Sequence, residues 1–199
     1  MSLYPGGKIH PKYWSESLWA GEDTSWIQED SLPEGFQSLS ANNYVNSSIT
    51  ETRAQHIQIP LLGVDSPVNE LKIINLNNSS SYETPNNIVG HIPETSNPGE
   101  LGNGWFFGHL ESPVMGEGNV FGKLPQISDY LRNGDTVYIM IGVGNKEYIY
   151  RATNSSVVHK DELHLFSSDD SRITLVTCVP RLVYDHRLLI SAILIGVKD

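Results

Sequence analysis

Cysteine is nearly absent from this chain, because Cys178 is the only one among 199 residues. A single cysteine excludes an intramolecular disulfide framework and a zinc site built on paired cysteines. The seven histidines are scattered and supply no short ligand spacing in their place. We therefore expect no metal and no other cofactor, and one thiol remains available for chemistry.

Long hydrophobic runs and an excess of basic charge are also missing. The longest apolar stretch covers residues 188–197, whereas a membrane-spanning helix needs about 20 residues. No basic segment followed by an apolar core opens the sequence, so we expect no signal peptide. Asp and Glu number 23 against 13 Lys and Arg, and the resulting net charge of −10 argues against nucleic acid as the main partner.

Short β-rich runs separated by turn residues begin at about residue 51. Gly144-Asn145 is typical of a hairpin turn, the segment 133–135 predicts another turn, and short helical turns are predicted at 120–127 and 161–166. Many strands with few helices favour a mainly β fold that closes, or nearly closes, into a barrel. The predicted strands cover 55–59, 68–76, 105–109, 136–143, 147–152, 172–178 and 187–197.

Three residues of the types that acyl transfer requires stand at or beside the ends of predicted strands. Cys178 ends the run Thr-Leu-Val-Thr-Cys, Arg187 follows nine residues later in His-Arg-Leu-Leu, and His109 ends the run Gly-Trp-Phe-Phe-Gly-His. A thiolate attacks carbonyls, an imidazole titrates near neutral pH, and a guanidinium suits a developing oxyanion. Because neighbouring strand residues face opposite sides, His186 is not expected to share a face with Arg187.

These motifs resemble those of the sortases, the cysteine transpeptidases of bacterial cell surfaces. Thr-Leu-x-Thr-Cys followed by the arginine is similar to the sequence around the family's cysteine. Pro-Gly-Glu-Leu-Gly-Asn over 98–103, followed by Gly-His at 108–109, resembles the pattern around its histidine. The run over 57–68 is similar to the family's early barrel strands, and the resemblance covers roughly residues 51–197.

The resemblance implies a closed eight-stranded β-barrel with short helices, in which Cys178 is the nucleophile, His109 the general acid/base and Arg187 the stabilising cation. It further implies cleavage of a C-terminal sorting signal similar to Leu-Pro-x-Thr-Gly through a thioester. The acyl group then passes to an amine of the cell wall or of a pilin subunit. The enzyme would lie at the outer face of the bacterial cytoplasmic membrane, held by an N-terminal anchor that this chain lacks.

Residues 153–171 precede the cysteine strand and correspond to the region that helps sortases read the sorting signal. Its apolar side chains either line a pocket for the signal or simply hold the loop down, and both interpretations stay open. We expect Thr177 to touch substrate as well. Asp169-Asp170 are interpreted as a solvated turn, with a calcium site, as in some sortases, as the alternative. The apolar candidates are Val157, Val158, Leu163, Leu165 and Phe166.

Residues 1–50 differ in composition, being rich in Ser, Asn, Glu and Gly. They predict an N-terminal extension or linker, partly packed on a catalytic barrel that covers 51–199. The extension acts either as a peripheral linker or as a lid over the active site. The aromatic residues available to anchor it are Trp14, Trp19, Trp26 and Phe36.

Two departures from the family pattern leave the subclass and the substrate motif open. Leu-Glu-Ser-Pro follows His109, where many relatives carry an arginine or a small polar residue, and Val-Pro-Arg follows Cys178, where one subgroup has Thr-Pro-Tyr. Two alternative functions also remain. One is a cysteine peptidase with water as acceptor, and the other is a non-catalytic peptide-binding barrel in which Cys178 is a core residue.

Overall fold

The computed structural model describes residues 32–39, 53–76, 79–82, 86–111 and 118–199. Strands dominate these residues, with one α-helix, α1 (Gln126–Asn133), and 3-10 turns at Pro60–Leu62 and Lys160–Glu162. No helix among them is long and apolar enough to cross a membrane. The strands, in chain order, are β1 (Gln37–Ser38), β2 (His56–Ile59), β3 (Val64–Glu70), β4 (Ile73–Leu76), β5 (Ser79–Tyr82), β6 (Val89–His91), β7 (Gly102–Phe107), β8 (Tyr138–Val143), β9 (Lys146–His159), β10 (Ser171–Val179) and β11 (His186–Lys198).

Eight of these strands form a closed barrel, as the sequence predicts. Their order is β11-β10-β7-β6-β3-β2-β8-β9, and β11 pairs with β9 to complete the circle. The neighbours β3 and β6, and β7 and β10, run parallel, whereas the other pairs are antiparallel. Closure matters because it gives every barrel strand two partners and fixes which face of each strand points inward.

Two apolar clusters stabilise the barrel, one on each face of its wall. The interior cluster takes alternate residues of the strands, such as Leu175 of β10 and Leu188 and Ile190 of β11, all of them fully buried. The outer cluster packs on the opposite face of β7, β10 and β11. It consists of Leu71, Ile92, Trp105, Val176 and Leu189, with partly buried Phe107, Val158 and Leu163 against it. Because side chains alternate between the two faces of a strand, every second residue counted from Val176 on β10, or from Leu189 on β11, also points outward.

The structure corrects several predicted element boundaries. The predicted strand 147–152 is the first half of β9, which continues to His159 because it pairs with β11 along its full length. The predicted strand 68–76 divides into β3, which ends at Glu70 and pairs with β6, and β4, which begins at Ile73 and pairs with β5. Strand β6 was not predicted. The helix begins later than predicted, and Gly134 ends it in a left-handed conformation with φ 82°.

The hairpin predicted at Gly144-Asn145 is confirmed, because β8 and β9 pair from Val143 and Lys146 on either side of it. Of the predicted N-terminal extension, the described part contains β1, which pairs with the end of β11. The Lys198 ammonium lies 5.8 Å from the centre of the Phe36 ring. Trp14, Trp19 and Trp26 lie outside the described residues, and the domain boundary at residue 50 stays a prediction.

Candidate active site

Cys178 and Arg187 lie directly opposite each other on the antiparallel strands β10 and β11. Cys178 follows Val176, and Arg187 precedes Leu189, two members of the outer cluster. Both side chains therefore point to the outer face, where the β-carbons of opposed residues are about 5 Å apart. Each residue is half-buried, so the thiol is neither sealed in the interior nor fully solvated.

His109 comes to the same place because β7 runs parallel to β10. The pairing of β7 with β10 ends at Phe107 opposite Val176, and two hydrogen bonds hold the next residue, Gly108, against β10. The Gly108 N–H donates to the Val176 carbonyl at 3.1 Å, and the Thr177 hydroxyl donates to the Gly108 carbonyl at 2.9 Å. His109 directly follows Gly108, and Cys178 directly follows Thr177, so these bonds tie the histidine segment to the cysteine strand.

The His109 ring has an uncommitted nitrogen. Its Nε2 is buried and has no hydrogen-bond partner among the described residues, while the backbone carbonyl of His109 accepts from the Phe121 N–H at 2.9 Å. A buried polar atom without a hydrogen-bond partner is unfavourable, so we expect this nitrogen to have a partner when the protein functions. The backbone is thus anchored, and the imidazole is available to a neighbouring proton donor or acceptor.

The Arg187 guanidinium is held from one side only. Its Nη1 donates to the carbonyls of Tyr184 and His186, each at 2.9 Å. Within the described part of the chain, Nε and Nη2 make no hydrogen bond. These remaining donors suit an oxyanion that forms next to the Cys178 sulfur.

His186 is oriented elsewhere, as strand alternation predicts. Its Nδ1 lies 2.7 Å from the Asp185 carboxylate, and its ring packs edge-on against His159 at 5.3 Å between centroids. His186, on β11, stands opposite Val179 of β10, which is a member of the interior cluster. His186 therefore does not share a face with Arg187, and the pairing of His109 with Cys178 and Arg187 stays a prediction.

The Thr177 hydroxyl already makes a hydrogen bond within the protein and is not free to contact substrate. The residue is 2 % exposed, and its hydroxyl is committed to the Gly108 carbonyl next to His109. Its side chain therefore joins the cysteine strand to the histidine segment instead of facing a peptide.

Replacement of Thr177 by valine tests this connection. Valine keeps the shape but leaves the buried Gly108 carbonyl without its donor, so we expect a loss of about 1–3 kcal/mol in the free energy of unfolding. Urea titration measures it. Thr153→Val is a matched control, because the Thr153 hydroxyl makes an exposed bond to the Ser191 carbonyl and should change stability by only about 0.5 kcal/mol. Equal effects of the two variants would contradict the role assigned to Thr177.

The apolar candidates for the peptide groove separate into different environments. Val157 lies opposite Leu188 and packs, partly buried, against the interior cluster, and its contact with substrate stays a prediction. Val158 stands opposite Arg187 and packs with Leu163 against the outer cluster. Leu165 and Phe166 are 46 % and 48 % exposed. Substrate contact by Leu163 and Leu165 stays a prediction.

Two other polar residues have structural surroundings. His91 is 1 % exposed, its Nε2 lies 3.1 Å from the Ser96 carbonyl, and burial lowers its pKa. Asp170 accepts from Arg172 Nη2 at 2.7 Å, and this bond holds the pKa of its carboxyl below the usual value. Among the described residues, no three His, Cys, Asp or Glu side chains form a group able to hold a metal.

Glu111 is a site residue that sequence reasoning missed. Its two carboxylate oxygens accept from the Tyr184 hydroxyl at 2.8 Å and contact Arg181 Nη1 at 3.1 Å. The signal was present in the Leu-Glu-Ser-Pro departure after His109, but the two partners are about 70 residues away. A cavity of about 380 Å³ borders this region and is lined by Asp65, Lys123 and Arg181 among others, but by none of the three candidate catalytic residues.

Comparison with known proteins shows the family of the chain. A family model for the sortase domain matches residues 57–195. The chain belongs to the sortase family, whose members are cysteine transpeptidases. Sortases act at the outer face of the bacterial cytoplasmic membrane. No curated protein matches the sequence significantly.

Several solved structures share the fold. The sortase D5 transpeptidase of Clostridium perfringens is 26% identical, with 72% of this chain and 79% of that chain covered and a TM-score of 0.53. Sortase C1 of Streptococcus agalactiae is 23% identical over 74% of this chain and 70% of its own, with a TM-score of 0.52. A lid mutant of sortase A from Corynebacterium diphtheriae is 21% identical over 74% and 72%, with a TM-score of 0.50. These structures carry A, C and D designations, so the comparison identifies no subclass.

Proposed function

We propose that this chain is a sorting-signal transpeptidase in which Cys178 is the nucleophile, His109 the general acid/base and Arg187 the stabilising cation. Two observations support the proposal. Arg187 stands opposite Cys178 on the neighbouring strand, and the hydrogen bonds of Gly108 tie the segment that carries His109 to the cysteine strand. Membership of a cysteine transpeptidase family supports the same roles.

The first half of the reaction forms a thioester. His109 accepts the thiol proton as the sulfur of Cys178 attacks the carbonyl carbon of the scissile peptide bond. The tetrahedral oxyanion takes hydrogen bonds from Nε and Nη2 of Arg187, the donors that make no hydrogen bond to any residue the structure describes. When the carbon–nitrogen bond breaks, protonated His109 gives its proton to the departing amine.

The second half returns the enzyme to its starting state. An acceptor amine attacks the thioester carbonyl and loses a proton to His109, and the carbon–sulfur bond then breaks to give an amide and a thiolate, which takes that proton back from His109 to become the free thiol. Water in place of the amine gives hydrolysis. The choice between them depends on whether the groove favours a bound amine over solvent, because the acyl-enzyme is common to both.

The outer cluster supplies an apolar floor for the signal peptide. Val158 and Leu163 pack on it beside Arg187, while Leu165 and Phe166 lie partly exposed on the segment that leads back to β10. An apolar surface of this kind suits the leucine and proline of a signal similar to Leu-Pro-x-Thr-Gly. The partners proposed are the sorting signal of an exported protein and an amine of the cell wall or of a pilin subunit, at the outer face of the membrane.

Product analysis tests the function. Incubation with a panel of sorting-motif peptides should add one acyl group to Cys178, detected by mass spectrometry, and an added amine should give amide product in preference to acid. Protein alkylated on Cys178 beforehand is the control. Acid as the main product despite excess amine would indicate a peptidase, and intact peptides with no adduct across the panel would indicate a non-catalytic barrel.

A further inference from the structure

The Glu111 carboxylate ties the loop between β10 and β11 to the histidine segment. Glu111 follows His109 by two residues, and its partners Arg181 and Tyr184 belong to the loop that joins Cys178 to Arg187. The Glu111 side chain is 26% exposed, whereas Arg181 is 62% exposed. A salt bridge this exposed contributes little, so the partly buried bond from the Tyr184 hydroxyl is the main connection.

That loop has a backbone conformation that needs support. Leu182 and Tyr184 have φ of 70° and 56°, a region that residues other than glycine adopt at a cost in free energy. The N–H groups of Val183 and Tyr184 both donate to the Pro180 carbonyl, at 3.3 and 3.0 Å. Local bonds close the turn, and the loop is held to the rest of the protein by the Glu111 contacts and by the Lys160 N–H, which donates to the Asp185 carbonyl at 2.8 Å.

The same loop orients the guanidinium of Arg187. The Tyr184 carbonyl accepts from Arg187 Nη1 at 2.9 Å, so the position of Tyr184 decides where the other donors of the guanidinium point. Partial burial and the bond to Glu111 raise the pKa of the Tyr184 phenol, which keeps it a hydrogen-bond donor across the physiological range. A chain of contacts therefore runs from the histidine segment through Glu111 and Tyr184 to Arg187.

We infer that Glu111 and Tyr184 form a positioning pair that orients Arg187 for the reaction. The inference rests on the proposed function, because it assigns Arg187 the oxyanion. Neither residue touches the reacting atoms; both act through the guanidinium. The pair also connects the loop that leads to Arg187 with the segment that carries His109.

A cycle of variants tests the pair. Tyr184→Phe removes only the hydroxyl, and we expect adduct formation on Cys178 to slow about tenfold, because a small misplacement of a catalytic group has effects of this size or larger. In an Arg187→Ala background the same change should have almost no further effect. Glu111→Gln keeps an acceptor for the hydroxyl and should slow the reaction less than Glu111→Ala. Tyr138→Phe on β8, which borders neither β10 nor β11, is the matched control.

Equal slowing by Tyr184→Phe in both backgrounds, or no slowing at all, would overturn the positioning role. Hydrogen exchange at the amides of Val183 and Tyr184 provides a readout that needs no activity. We expect faster exchange in Tyr184→Phe and Glu111→Ala than in the unchanged protein. If the unchanged protein forms no adduct with any peptide, the proposed function fails, while unaltered exchange in the variants would show that Glu111 does not order the loop.

Discussion

Replacement of Cys178 by alanine is expected to abolish adduct formation and both products, amide and acid, while the barrel stays folded. A thioester requires a thiol, and the chain contains no second cysteine that could replace Cys178. Because Cys178 is half-buried on the outer face, removal of its sulfur should change the free energy of unfolding by about 1 kcal/mol or less. Mass spectrometry and urea titration measure the two effects separately.

Cys178→Ser sharpens this test because it keeps a nucleophilic atom of similar size. A hydroxyl is far less ionised than a thiol near neutral pH, so we expect activity to stay at background. Alkylation of the unchanged protein with iodoacetamide is the complementary measurement. A thiol that resists alkylation in the folded protein, together with full peptide binding by Cys178→Ala, would favour the non-catalytic barrel.

Replacement of Arg187 by alanine should lower the rate constant of adduct formation by about 10²–10³-fold, the usual effect of losing an oxyanion donor. The Michaelis constant should change little, because the charge that Arg187 meets develops only in the transition state. Arg187→Lys keeps the charge but lacks the planar fork that binds the Tyr184 carbonyl while presenting further donors. We therefore expect lysine to restore only a small part of the rate.

Arg172→Lys is the control for these variants. Arg172 lies at the start of β10, the strand that carries Cys178 near its end. It pairs with Asp170 at that start of the strand. We expect its replacement to leave adduct formation unchanged. A similar loss of rate in Arg172→Lys and Arg187→Lys would mean that positive charge on the barrel, and not a placed guanidinium, supports the reaction.

The barrel strands that the sequence predicts are those with apolar alternation, such as β8, β10 and β11. The second half of β9 escaped prediction because 153–156 reads Thr-Asn-Ser-Ser, which has no apolar face. These residues are strand because β11 passes beside them and closes the barrel. Pairing with a partner about 30 residues away supplies the hydrogen bonds that local composition does not suggest.

The orientation of Val157 could not be predicted for a related reason. The pairing of β9 with β11 contains register shifts between Ser191 and Ala192 and between Leu194 and Gly196. A shift of one residue moves side chains from one face to the other. Alternation counted from the predicted strand 147–152 therefore does not give the orientation of Val157. Only the closed barrel shows that this side chain faces inward.

The identity of the three chemical groups was readable in the chain itself, since a lone cysteine, an arginine nine residues later and a histidine after Gly108 are local facts. Alternation along one strand also separated His186 from Arg187 before any coordinates. Tertiary structure alone decided which wall of the barrel these groups share and that Glu111 reaches Tyr184, 73 positions away. The physical reason is that covalent order constrains neighbours within a few residues, whereas parallel pairing of β7 with β10 and closure by β11 are set by burial of the whole core.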